Sequence, residues 1–187
     1  GSGLVGSEMC IRDSYEFVME LNRDANFQRC LPITDRKADE QYRVELLLRL
    51  LITQSVDWDS INNYSDFSEL LDKETICLCR ADLDTDDIRE RFVSTFQLLY
   101  GVLGEDSFKK YSGQKRLGPV MAAVFQIIAT GVFKNINDII SLPNRDEWLL
   151  EKANSVFETD EYKRNTTPGI KSIPRYKDLS LFSMEYF

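Results

Sequence analysis

The chain contains no histidine. That removes histidine general bases, Ser-His-Asp and Cys-His nucleophile systems, histidine-ligated metals and any HNH-type nuclease chemistry of its own. Cysteine is scarce, at four in 187 residues. Without Cys10, which lies in the leader set aside below, the cysteines at 30, 77 and 79 are an odd set with no secretory signal, which fits a reducing, cytoplasmic setting. Cations are in deficit, 23 Lys and Arg against 31 Asp and Glu, for a net charge of −8. A protein whose main task is gripping DNA needs the opposite balance, because phosphate neutralisation requires a surplus of Lys and Arg. Nor is there an apolar run of the ~18 residues that a membrane span demands. The longest uncharged stretch, residues 117–133, is interrupted by Gly118, Pro119, Gln126, Thr130 and Gly131, so no membrane partner is expected. Internal repeats and strand-length alternation are also missing, apart from short traces near residues 75–79 and 179–182.

What is present is helical period in a chain long enough for one sizeable core. Residues 1–14 stand apart, with no helical or strand spacing, and Glu8-Met9-Cys10-Ile11-Arg12-Asp13-Ser14 resembles translated sequencing-adapter read-through. They are expected to be an artefactual or disordered leader outside the fold, with residues 15–187 a helical fragment of a larger protein. Phe17, Val18 and Leu21 give a first helix from Tyr15 to about Ala25, with a break around Phe27, Leu31 and Pro32. Thr34 or Asp35 can cap the next helix, running to about Ser55. Val44, Leu47, Leu48, Leu51 and Ile52 recur there at helical spacing, and Leu46 and Leu50 widen the apolar surface until only Glu45 and Arg49 interrupt it. A helix apolar almost all round belongs in the middle of a domain.

Asp66 and Glu69 signal the cap of a short helix. The acidic run Asp82, Asp84, Asp86, Asp87 precedes a long one carrying Ile88, Phe92, Phe96, Leu99 and Leu103, ended by Gly104. Pro119 suits the first turn of a buried helix through Ile128, and a last helix carries Trp148, Leu149, Ala153, Val156 and Phe157. From Thr166 the chain reads as irregular. The expected fold class is all-α, a single irregular bundle of about six helices.

Few constellations carry chemistry. Cys77-Leu78-Cys79 with Cys30 makes an incomplete zinc set that no histidine can finish, so buried structural thiols are expected. The acidic run lacks the central glycine and terminal glutamate of a calcium loop and reads as helix capping. Glu45 and Arg49 stand in the favourable i, i+4 order for a helix ion pair; with Arg36 and Arg43 on the approach, they form a polar network or a contact to a neighbouring domain or ligand. Lys109, Lys110, Lys115 and Arg116 put four positive charges in eight residues. With Arg175 in a second basic region, they read as a solvated rim or as a contact for nucleic acid or a partner.

The order of motifs resembles a known family. Asn26-Phe27, Leu31-Pro32, Arg36, Gln41-Tyr42 and Val44-Glu45-Leu46-Leu47-Leu48-Arg49-Leu50-Leu51 are similar to the "F…lp…R…ELvLRfla" region of the GmrSD restriction-endonuclease N-terminal-domain family. Tyr64-Ser65-Asp66-Phe67 before Leu70-Leu71-Asp72, Val102-Leu103-Gly104-Glu105-Asp106-Ser107-Phe108-Lys109, and Pro168-Gly169-Ile170 … Arg175 … Glu185-Tyr186-Phe187 resemble its later elements. The resemblance implies a cytoplasmic, bacterial anti-phage protein in two parts. One is a ParB-like domain with a D-G-Q-Q-R motif that handles a nucleoside triphosphate, with a divalent metal. The other is a helical part, and the whole is paired with an HNH-type nuclease module that attacks modified DNA. D-G-Q-Q-R is absent here, so no catalytic, cofactor-binding or metal residue is carried over. This chain would be the helical portion, not itself catalytic, bracing the ParB-like domain. The alternative is a self-contained helical module that binds nucleic acid or a protein through its basic patches.

Overall fold

The computed structural model describes residues 2–33 and 36–187, with the side chains of residues 2–7, 37 and 38 left aside. The described chain is all-α. In order come α1 (Ser2–Asn22), α2 (Ala25–Cys30), α3 (Lys37–Ile52), α4 (Phe67–Arg80), α5 (Thr85–Leu103), α6 (Ala122–Ile140), α7 (Arg145–Ser155), α8 (Asp160–Asn165) and α9 (Ser172–Tyr186). A minimal antiparallel hairpin, β1 (Lys110–Tyr111) with β2 (Arg116–Leu117), interrupts the basic connector.

Caps set several of these boundaries. Asp24 accepts from the Phe27 N–H at 2.8 Å, Asp66 from Glu69 at 2.9 Å and Asp84 from Asp87 at 3.0 Å, each satisfying a donor that the first turn leaves orphaned. The acidic run before α5 is therefore capping, reinforced by Asp86 on Arg89 and Asp87 on Arg91. The expected cap at Thr34 or Asp35 lies outside the described residues.

Helix α6 is the buried axis, with every residue from Val124 to Phe133 shielded from solvent. Around its start gathers an aromatic cluster. Phe27 lies edge-on to Phe96 at 4.8 Å between centroids, Phe92 packs on Phe96 at 4.6 Å, and Phe108 meets Phe125 at 4.8 Å. Such tilted geometries suit the ring quadrupoles. Antiparallel pairing is not needed to hold this body together; side-chain packing between helices does it.

Several expectations need correction. Helix α1 begins at Ser2, so the leader is helical over its described part, yet Met9 and Ile11 stay exposed and leave no packing signature in the sequence. The break around Phe27 is itself a one-and-a-half-turn helix, α2, started by Asp24. Pro119 precedes α6 by a turn, with Met121 as its N-cap. The segment after Thr166 is not irregular throughout, because α9 occupies most of it, with Pro174 in the first turn where a missing N–H is harmless. The traces at residues 75–79 and 179–182 are helical.

Helix α9 packs on α6 more extensively than any other pair. Gly131 permits it: a Cβ there would lie 2.5 Å from the Ser183 carbonyl oxygen and 2.5 Å from Phe187. Gln126 Nε2 donates to Ser180 Oγ at 2.8 Å across the same seam. Helix α3, expected in the middle, buries one face through Leu46, Leu47, Leu50 and Leu51. Its other side, with Val44, Glu45, Leu48 and Arg49, reaches the surface.

Candidate functional site

The exposed side of α3 forms one wall of a cleft of about 580 Å³, bordered by α1, Gln28 of α2 and Leu71 of α4. Its walls alternate aliphatic and polar groups, with Met19, Val44, Leu48 and Leu71 beside Asn22, Gln28 and Arg43. Two polar atoms here are buried without a partner. Asn22 is 8% exposed, and its Oδ1 receives no hydrogen bond; Arg43 Nε is likewise buried and unpaired. No described carboxylate pairs with Arg43. Glu45, two residues further along α3, is engaged by Arg49 instead. Leaving a buried donor or acceptor unsatisfied costs about 1–3 kcal/mol each, so a cleft with one of each is primed for a group that supplies both.

Behind that wall lies the network to which Arg49 belongs. Its Nε and Nη2 donate to Glu45 Oε1 at 3.0 and 2.6 Å, and its guanidinium lies 4.2 Å from the Phe67 ring centroid. The Arg49 carbonyl accepts from the Tyr176 hydroxyl at 2.7 Å. Tyr176 sits among Phe67 and Trp58, at centroid distances of 5.4 and 5.8 Å, and burial pushes its ionisation well above the usual tyrosine range. Nearby, the Tyr64 hydroxyl donates to Glu74 Oε1 at 2.5 Å. That hydrogen bond to a carboxylate, with burial second, raises Tyr64 to about 12. Glu74 is a buried acid, and this bond gives its charge a donor.

The sequence-predicted residues therefore separate. Glu45 and Arg43 line the cleft; Arg49 stands behind it. Arg36 is exposed at the N-cap of α3, where its backbone carbonyl, not its side chain, accepts from Asp39 and Glu40. No sequence signal pointed to Asn22, which reads as the polar end of a helix, or to the Tyr64–Glu74 pair, which only the tertiary fold brings together.

No family model, curated protein or solved structure matches this chain.

The basic connector is organised inward. Arg116 donates through Nη1 to the carbonyls of Ser107 and Lys109, at 3.1 and 3.2 Å, and through Nη2 to the Ala153 carbonyl and Asn154 Oδ1, at 2.8 and 3.0 Å. Four of its five N–H groups are thus occupied within the chain. Desolvation lowers it to about 10. Lys109 pairs with Asp106 at 2.6 Å. Arg175 donates to the carbonyls of Asn165 and Ile170, at 2.8 and 3.2 Å, fastening the turn between α8 and α9. Lys110 and Lys115 alone of these five are exposed.

Among the described residues no three or more His, Cys, Asp or Glu side chains stand together as a metal set. Cys30 is buried, and its thiol is pushed up to about 12, chiefly by desolvation. Cys77, by contrast, is exposed and Cys79 half-buried, so the expectation of buried thiols holds for Cys30 and not for Cys77. No described helix is long and apolar enough to cross a membrane.

Proposed function

We propose that this chain is a helical brace in a GmrSD-like, nucleotide-dependent restriction and anti-phage defence protein. It holds a ParB-like domain and couples that domain's state to an HNH-type nuclease module acting on DNA. Nucleoside triphosphate and divalent metal belong to the ParB-like domain, and this chain performs no catalysis itself. The setting is the bacterial cytoplasm.

The observation that carries the reading is where the motif residues sit. Phe27, Leu46, Leu47, Leu50, Leu51 and Phe108 are core, Gly104 turns the backbone at φ +63°, and Arg175 fastens a loop. Of the polar residues of the same motif, Glu45 lines the cleft in which Asn22 Oδ1 and Arg43 Nε lack partners, and Arg49 holds Glu45 in place. A scaffold with one unfinished polar face is what a docking part of a larger machine requires. The alternative, a self-contained module binding nucleic acid or a protein through its basic patches, has less support, because Arg116, Lys109 and Arg175 are engaged internally.

The decisive test is at the locus. Sequencing upstream of the codon for Tyr15 is expected to reveal an in-frame ParB-like domain with D-G-Q-Q-R. A start codon there and no such domain in the neighbourhood would overturn the reading.

A further inference from the structure

We infer that the cleft between α1, α2 and α3 binds an acidic peptide segment, with a carboxylate on Arg43, a backbone N–H on Asn22 Oδ1, and an aliphatic side chain on Val44, Leu48 and Leu71. The inference deepens the docking role proposed above and rests on it, by naming the chemistry that the brace receives.

Three features of the cleft select this occupant. The first is its complementary pair of orphaned atoms. Asn22 Oδ1 is an acceptor lacking a donor and Arg43 Nε a donor lacking an acceptor, both buried within side chains that line the same recess. A peptide presents both functions within one residue: an amide N–H and, on Asp or Glu, a carboxylate that matches a guanidinium edge.

Charge is the second. The chain as a whole is acidic, at −8, yet Arg43 has no described carboxylate partner. The adjacent Glu45 is already paired, at 2.6 Å, with Arg49. Glu40 and Arg23 lie on the rim and are exposed, so they offset each other. One unpaired guanidinium therefore faces the recess, which suits a single carboxylate. A nucleic-acid backbone would bring several phosphates against Glu40 and Glu45 with only Arg23 and Arg43 to receive them.

The third is the nature of the wall. Met19, Val44, Leu48 and Leu71 are aliphatic, and Tyr15, the one aromatic ring lining the cleft, is exposed at its mouth. Aliphatic walls take a Leu, Ile or Val side chain; sequence-tolerant binding of bases uses aromatic platforms.

The test uses the full 187-residue chain, isotope-labelled on amides and methyls, titrated at low salt with two peptides. These are N-acetyl-aspartyl-leucine N-methylamide and its asparaginyl counterpart, identical but for the charge. The expected result is saturable shifts at the Asn22 side-chain amide and the Leu48 and Leu71 methyls with the aspartyl peptide. Binding should be at least about tenfold weaker with the asparaginyl one, as loss of a charge-assisted hydrogen bond implies. Arg43→Gln should weaken the aspartyl peptide by a similar factor, with Arg43→Lys intermediate, thermal melts verifying that each variant folds. No shift at millimolar aspartyl peptide would overturn the inference, and so would equal response to both peptides, which compare charge without any mutation. A thymidine dinucleotide that binds the same residues more tightly would also overturn it, in favour of nucleic acid. Peptide binding without an upstream ParB-like domain would leave the cleft standing and remove the GmrSD-like reading; the reverse would leave the brace and move its docking surface elsewhere.

Discussion

The Tyr176 hydroxyl donates to the Arg49 carbonyl across 127 positions of sequence. That carbonyl belongs to the last turn of α3, where four acceptors have no intrahelical donor. A side chain from α9 thus completes the C-terminus of a helix from the first third of the chain. The bond closes the seam between α3, α4 and α9.

Tyr176→Phe tests how much that closure is worth. The ring stays packed on Phe67 and Trp58 while the carbonyl is left without its donor, so the expected loss is about 1–3 kcal/mol. Urea unfolding should show a lower midpoint with an unchanged slope. An unchanged midpoint would mean that water replaces the hydroxyl at no cost.

Two glycines give opposite predictions. Gly131→Ala forces a methyl into the Ser183 carbonyl and Phe187, and overpacking of this kind costs about 1–3 kcal/mol. Gly101 lies within α5 with open space around its missing Cβ. Gly101→Ala should therefore stabilise the chain, by about 0.4–1 kcal/mol, through the entropy of the unfolded state. Paired thermal melts will show the signs directly.

Arg116→Lys is not a conservative change in this fold. A lysine ammonium cannot reach four acceptors arranged around a planar fork, so a destabilisation of about 2–3 kcal/mol is expected. Lys110→Glu and Lys115→Glu, on exposed side chains, should leave the free energy of unfolding within about half a kcal/mol of the parent. Equal effects at all three positions would show that Arg116 is not the hairpin's anchor.

From neutral pH, stability should be flat to about pH 9 and fall above it. Cys30 keeps its proton to about 12 in the folded chain against an ordinary 9.0, and Tyr64 to about 12 against 10.0. The unfolded chain releases these protons first, so the unfolded form gains as pH climbs from 9.0 towards 12. Arg116 works the other way, since its folded-state value of about 10 lies below the usual 12.5 and favours the folded form over that interval. Tyr64→Phe should shallow the alkaline decline measured by urea midpoints between pH 8 and 11. A decline that sets in below pH 8 would point to other groups.

Helices α3 and α5 were legible because their apolar residues recur at helical spacing against polar neighbours, and Asp66 and Asp84 announced the starts of α4 and α5. Helix α9 was not, for a physical reason. Its inner face includes Ser180 and Ser183, small polar residues that let it approach Gly131, so its hydrophobic stripe is faint where its packing is closest. Helix α2 is too short for periodicity to register. At the site, the Glu45–Arg49 pair followed from spacing along one helix. The orphaned state of Asn22 and Arg43 did not, because it depends on what the folded chain fails to place beside them. The basic connector misled for the same reason: a cation count says nothing about where four carbonyl and amide oxygens will converge on Arg116.

The placement of the two tryptophans has a practical consequence. Trp58 lies 5.8 Å from Tyr176 near the start of α9, and Trp148 lies 6.5 Å from Phe187 just past its end. The molecule thereby carries an intrinsic optical gauge at each extremity of one helix. With either indole replaced by phenylalanine, emission from the other reports whether α9 peels away from one side or lifts off as a unit.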